Sequence, residues 1–228
     1  MILSIETSTD VCSVALSNEG KCLKSEVLRG TASHASNLTP MIMRVMESAS
    51  LTYADLDAVA VSSGPGSYTG LRIGASTAKG IAYASGKKLI AVPTLSILAH
   101  AIFENAPEAQ IACPMLDARR MEVYTSLIMR DGQIVSPTQA MIVDETAFGT
   151  VLAHSEIVFG GNGADKCRSV ITSGNAKFLE GIEPLAFYMG PLAYQRLVSG
   201  QTENVAYFEP FYLKDFVATV PKNKVLGV

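Results

Sequence analysis

Ser63-Gly64-Pro65-Gly66-Ser67-Tyr68-Thr69-Gly70-Leu71-Arg72-Ile73-Gly74 decides the fold, because of what flanks it. Ahead of it, Ala58-Val59-Ala60-Val61 is a short apolar run of the kind that makes a buried strand. Glycines and a proline then force a tight turn, and Ser67 or Thr69 is placed to cap the helix that follows. Along that helix Gly70, Gly74, Ala78 and Ala82 recur at every fourth residue and so share one face. A second strand, Lys88 to Val92, stops at Pro93. Strand, glycine turn, helix and strand make the right-handed crossover of a parallel sheet. The turn has two readings. Free N–H groups at a helix N-terminus bind phosphate. Alternatively, the glycines only shape the turn, and the small face lets another helix pack closely. The pattern GxxxxGK[ST] is absent, since Leu71 follows Gly70.

With 228 residues, 48% of them apolar and 17% charged, the chain suits one large domain or two small lobes around a real core. A formal charge of −3 and only two basic pairs, Lys87-Lys88 and Arg119-Arg120, leave no basic stripe to announce nucleic acid. Cys12, Cys22, Cys113 and Cys167 share no metal spacing and read as small hydrophobes in a reduced compartment. Met1 to Glu6 lacks a basic leader, and no stretch of eighteen apolar residues occurs, so a cytoplasmic protein without a membrane span is expected.

Residues 2–28 predict three antiparallel strands: Ile2–Ile5, Val11–Leu16 and Lys21–Leu28. The first turn, Glu6-Thr7-Ser8-Thr9-Asp10, gathers two carboxylates and three hydroxyls; it reads as a phosphate contact or as a hydrogen-bonded hairpin. A helix within Ser33–Ser50 carries Leu38, Met41, Ile42, Val45 and Ala49 as its inward stripe. Met43 and Met46 fall off that stripe; they read as soft side chains at a partner surface, the favoured reading, or as gap fillers of a wider buried face. Thr94–Asn105 is expected to close the first lobe as its last helix. Ile111–Leu116, a turn Asp117-Ala118-Arg119-Arg120, and Val123–Met129 then repeat the opening theme, with Asp117 in the place of Glu6. A duplicated fold with a cleft follows, with a first lobe over residues 1–105 and a smaller, degenerate second lobe over 106–228 whose last helix is expected to pack back on the first. Helices are expected over Asp144–His154, Ala164–Val170 and Met189–Ser199. Phe208–Leu213 is expected as an extended aromatic arm. No HExxH or GxSxG pattern occurs, so zinc and serine-nucleophile chemistries lack their parts.

Several stretches together resemble one family. They are Ile2-Leu3-Ser4-Ile5-Glu6-Thr7-Ser8, Ser33-His34 leading to Leu38-Thr39-Pro40, the glycine stretch with Ala78-Lys79-Gly80, and Asp117-Ala118-Arg119-Arg120-Met121-Glu122-Val123-Tyr124. The family is TsaB (YeaZ), part of the bacterial machinery that makes threonylcarbamoyladenosine at adenosine 37 of tRNA. The resemblance implies two RNase H-like lobes of the actin and sugar-kinase (ASKHA) type. It also implies a non-catalytic subunit that scaffolds TsaD with the ATPase TsaE, pairs with itself when alone, and meets tRNA only through the complex. TsaD relatives hold metal through a His-x-x-x-His pair; here Ser96 stands four residues before His100, which implies a broken pair. No metal or firm cofactor is expected, with ATP or ADP entering at the level of the complex.

Two sets of site residues follow. The candidate vestigial phosphate site comprises Glu6, Thr7, Ser8, Asp10, Gly64, Gly66, Ser67, Gly70 and Gly161. The candidate partner interface comprises His34, Leu38, Met43, Met46, Gly70, Arg72, Gly74 and Ala78 on the first two helices. The competing functions are an ATP- or phosphate-binding enzyme of the kinase-like class and a peptidase.

Overall fold

A computed structural model describes residues 1–30 and 34–214. Ile2–Glu6 (β1), Cys12–Asn18 (β2) and Lys21–Leu28 (β3) form the expected antiparallel meander. Ala58–Ser62 (β4) and Lys88–Val92 (β5) add in parallel on the far side of β1, so the order is β3-β2-β1-β4-β5. Every residue of β1 and β4 is buried, because helices cover both faces of the sheet. His34–Ser48 (α1) and Tyr68–Ser85 (α2) lie on one face, where Leu38, Met41, Ile42, Val45 and Ala78 meet Leu3, Ile5, Val14 and Val61. Gly86 ends α2 in the left-handed region (φ +65°), its N–H on the Ala82 and Tyr83 carbonyls, where a Cβ would be strained.

The second half repeats this topology. Ile111–Asp117 (β6), Glu122–Met129 (β7) and Ile134–Ile142 (β8) are antiparallel; Ile157–Gly160 (β9) and Ala176–Phe178 (β10) add in parallel beside β6. The order β8-β7-β6-β9-β10 is the first sheet's order again. Glu6 and Asp117 each end the first strand of their sheet.

The helices differ from expectation. Asp144 does not cap a long helix; its carboxylate accepts from the Thr146 N–H and hydroxyl in a turn, and only Gly149–Leu152 (α4) is helical. Ala164–Val170 holds a single 3-10 turn, Asp165–Cys167. Thr94–Asn105 (α3) follows β5 but does not simply close the first lobe. Its Leu95, Leu98, Ala99 and Ile102 pack on Ala112, Leu116, Ile128 and Val158 of the second sheet. Conversely Ala186–Val198 (α5), from the chain's end, packs on the first sheet, with Met189 and Ala193 against Ile2, Ala58, Ala60, Ile90 and Val92. Gly190 permits that approach, since a Cβ there would lie 2.9 Å from the Gly20 carbonyl oxygen.

Beyond α5 the chain runs as an extended arm. Glu203 bridges to Leu89 on β5, and the Lys79 ammonium donates to the carbonyls of Ala206 (3.2 Å) and Phe208 (2.8 Å). The Phe211 N–H donates to the Ser63 carbonyl (2.7 Å), Tyr212 leans on Tyr68 (4.8 Å between ring centres), and Lys214 pairs with Glu122 of the second lobe. Among the described residues no helix is long and apolar enough to cross a membrane.

The second lobe's core centres on Phe159, fully buried, stacked on Phe178 at 4.9 Å and edge-on to Phe148 at 5.5 Å. Phe159→Ala should cost about 3–5 kcal/mol in urea unfolding, against about 0.5 kcal/mol or less for Met43→Ala on the surface. Equal losses in the two variants would contradict this packing.

Candidate functional site

The β1–β2 turn and the glycine turn meet directly. The Thr7 hydroxyl donates to the Gly70 carbonyl (2.8 Å), and the Ser67 N–H donates to the Ser8 carbonyl (2.7 Å). Cβ atoms added at Gly66 and Gly70 would collide with the Ser8 and Thr7 carbonyl oxygens, and one at Gly74 with the Thr7 hydroxyl. The small-residue row of α2 therefore receives the chain's own first turn. Gly70, Gly74 and Ala78 are buried within the lobe, and a partner helix has no access to them. That corrects the expectation that this row is an intermolecular face.

The same contact engages two of the N–H groups a phosphate would draw on. The Ser67 N–H is taken by Ser8, and the Gly70 N–H is capped by the Ser67 hydroxyl (3.3 Å). Gly64 faces the Phe211 carbonyl of the arm, and Asp10 is exposed at the tip of the turn. Gly161 sits in the other lobe at φ +112°, where a Cβ would collide with the Met115 carbonyl, so it brings β9 close to β6 as the α2 glycines bring α2 close to β1. Glu6, Thr7, Ser8, Gly66, Ser67 and Gly70 are brought together; Asp10, Gly64 and Gly161 are not part of that contact. The arrangement does not fit a phosphate at this turn.

Glu6 sets the local electrostatics. Its side chain is fully buried; one oxygen accepts the Ser8 N–H at 2.6 Å, and the other has no hydrogen-bond partner. Burial pushes the carboxyl up to about 7, against smaller lowering by the Ser8 and Ser62 groups beside it. Asp117, the counterpart, is exposed. Partial burial pushes its carboxyl up, but the Lys166 ammonium and the Arg119 N–H (2.9 Å) outweigh this and hold it below the usual range. On α3, His100 lies edge-on to Tyr188 and 3.9 Å from the Glu104 carboxylate, and burial lowers its pKa. Among the described residues no three His, Cys, Asp or Glu side chains are placed to hold a metal.

Of the other interface candidates, Leu38 and Met46 are core residues at 1% and 4% exposure. Met46 joins the core because the buried arc of α1 spans both the sheet and α2, wider than the five-residue stripe. His34 is half-buried, its Nε2 2.7 Å from the Thr9 carbonyl oxygen, which ties the start of α1 to the first turn. Met43 (50% exposed) and Arg72 do face outward. Sequence reasoning missed Tyr83, 82% exposed, on the outward row Arg72, Ser76, Gly80 and Tyr83 of α2. The available signal was an aromatic lying off the small-residue row.

Two lobes of one topology, each with a strand–turn–strand unit at its centre and helices exchanged between them, define an α/β protein of the actin and sugar-kinase type. A ROK hexokinase from Thermus thermophilus shares that fold at 10% identity, with a TM-score of 0.52. Much nearer are YeaZ from Pseudomonas aeruginosa, 26% identical with a TM-score of 0.79, and a second structure from that organism described as similar to peptidase YeaZ, 27% identical with a TM-score of 0.84. Each covers 93% of this chain and 99% of its own. Residues 29–222 match the family model described as TsaD: tRNA N6-adenosine threonylcarbamoyltransferase. The tRNA threonylcarbamoyladenosine biosynthesis protein TsaB of Escherichia coli is 30% identical over 95% of this chain and 96% of its own. That of Haemophilus influenzae is 31% identical over 95% and 94%. The chain belongs to the TsaB (YeaZ) family.

The Glu6 carboxyl makes the fold pH-dependent in a defined direction. Its folded pKa lies above the unfolded 4.5, so the native state binds the extra proton and stability falls as pH rises from about 4.5 through about 7. The loss amounts to on the order of 3 kcal/mol. Unfolding free energies measured across this range should show a wild-type decline that Glu6→Gln removes; parallel curves would show that Glu6 titrates normally. Gly74→Val, which drives a side chain into Thr7, should lower stability by roughly 1–3 kcal/mol at any pH. A Gly74→Val unfolding midpoint equal to that of the wild type would mean Thr7 yields freely.

Proposed function

We propose that the chain is a non-catalytic subunit in the synthesis of threonylcarbamoyladenosine in tRNA. In this reading it holds a TsaD homologue through the outward faces of α1 and α2, and a TsaE homologue joins the pair. The chain forms a homodimer through the same faces when alone, works in the cytoplasm, and approaches tRNA as part of the complex. ATP or ADP belongs to the assembled complex and not to the isolated chain. One observation carries the reading: the turn that would hold phosphate in a kinase-like enzyme is closed on α2 by the chain's own carbonyls and hydroxyl. The names of the TsaB relatives support the pathway. Met43 and Tyr83 support the contact faces, because they place apolar surface outside while serving no internal cluster.

Mixed with its cognate TsaD, the wild-type chain should elute as a heterodimer in size-exclusion chromatography with light scattering. The paired variant Met43→Asp and Tyr83→Asp should keep its circular dichroism but bind at least 10-fold more weakly, about 1.4 kcal/mol. Calorimetric titration of the isolated chain with ATP should give no binding heat. Retained TsaD affinity in the variant would move the interface elsewhere, and saturable ATP binding by the chain alone would favour the kinase-like enzyme.

A further inference from the structure

Arg119 and Arg120 occupy the β6–β7 turn with φ of +73° and +51°. Two successive non-glycine residues in the left-handed region cost on the order of 1–3 kcal/mol each and persist only where their surroundings enforce them. Here they are enforced from both sides. The Asp117 N–H donates to Asn162 Oδ1 (2.9 Å), the Arg119 N–H to Asp117 Oδ1 (2.9 Å), and the Ala118 N–H to the Glu122 carbonyl (3.1 Å). Lys166 grips the Asp117 carboxylate and donates to the Glu122 carbonyl (2.7 Å), while Lys214, delivered by the arm, takes the Glu122 carboxylate.

Both acids of the turn are thus neutralised by lysines from distant segments. Both arginines remain exposed, and among the described residues neither guanidinium has an ion-pair partner. Four cations against two carboxylates leave a local excess of two positive charges on a chain whose formal charge is −3. The arm that carries Lys214 also carries Phe211, 51% exposed, and Tyr212, half-buried, whose ring is braced by Tyr68; the Arg72 guanidinium lies over the Tyr68 ring at 5.1 Å. Tyr212 and Lys214 are two residues apart, at most roughly 7 Å of extended chain.

We propose that Arg119 and Arg120, together with Phe211 and Tyr212 of the arm, form a contact surface for single-stranded RNA. The guanidinium forks take phosphodiester oxygens, and an exposed ring stacks an unpaired base. The contact is made within the assembled complex, so the inference rests on the tRNA-modification reading and adds a direct RNA contact to it. An acidic protein surface would satisfy the arginines but give the aromatic rings of the arm, which Lys214 ties to this turn, no role.

The test uses the complex of the full chain with its TsaD homologue and a fluorescent anticodon stem-loop RNA, followed by anisotropy across a salt series. Arg119→Ala with Arg120→Ala should weaken binding roughly 10-fold or more and reduce the slope of log affinity against log salt by about one to two. Phe211→Ala should weaken binding about 5- to 100-fold with the slope unchanged. Arg119→Lys with Arg120→Lys should restore the slope. All variants should form the heterodimer as the wild type does. Wild-type RNA affinity in the double alanine variant would overturn the proposal, and so would loss of the heterodimer with RNA affinity intact, which would assign the turn to a protein partner. A wild-type complex that modifies tRNA while the variants bind RNA normally would overturn this surface alone. A complex that neither binds nor modifies RNA would overturn the functional reading with it.

Discussion

The rest of the fold depends on α2 lying against the β1–β2 turn with no side chain between them. Thr7 and Ser8 present carbonyls and a hydroxyl where Gly66, Gly70 and Gly74 present bare Cα atoms. The buried hydrogen bond from Thr7 to the Gly70 carbonyl locks the first turn of α2 to the end of β1. With that end fixed, α2 can cover β4 and the crossover to β5 is set, so the parallel half of the sheet follows from it. The second lobe builds its equivalent junction with Gly161 and Gly163 against Met115 and Leu116. There the crossover has shrunk to one turn of 3-10 helix, so the contact fixes strands and not a long helix.

A fold shared with sugar kinases does not carry their chemistry with it; activity resides in the residues at the junction. In this chain the junction holds α2 against the β1–β2 turn. The Ser67 N–H faces the Ser8 carbonyl, the Gly70 N–H faces the Ser67 hydroxyl, and the carboxyl at the end of β1 sits buried beside hydroxyls with one oxygen unpartnered. What remains chemically expressive lies outside. The outer faces of the first two helices show Met43, Arg72 and Tyr83, and the β6–β7 turn shows its arginines.

Much of the first lobe was legible in the sequence, because its signals are local. The alternation of residues 2–28, the glycine turn and the apolar runs of β4 and β5 each settle an element without knowledge of the others. The repeat was legible as well, through Ile111–Asp117 and its turn. Contacts decided by tertiary packing were not. The small row of α2 shows that something comes close, but not that the visitor is Thr7 of the same chain. Met46 needed knowledge of where α2 sits. The destination of α3 was hidden because an apolar helix face looks the same whichever sheet it covers. Strand β8 escaped notice since it is an edge strand, largely exposed and carrying Pro137. The basic character near Arg119 was invisible because Lys166 and Lys214 are far from it in sequence.

The exchange of helices has a consequence for how the molecule comes into being. Synthesis runs from the N-terminus, and the face of the first sheet formed by Ile2, Ala58, Ala60, Ile90 and Val92 waits for Met189 and Ala193, which emerge after both sheets have been made. Until then a nascent first lobe displays a bare apolar surface. The chain therefore cannot complete its halves one after the other on the ribosome; both lobes mature together, when α5 docks.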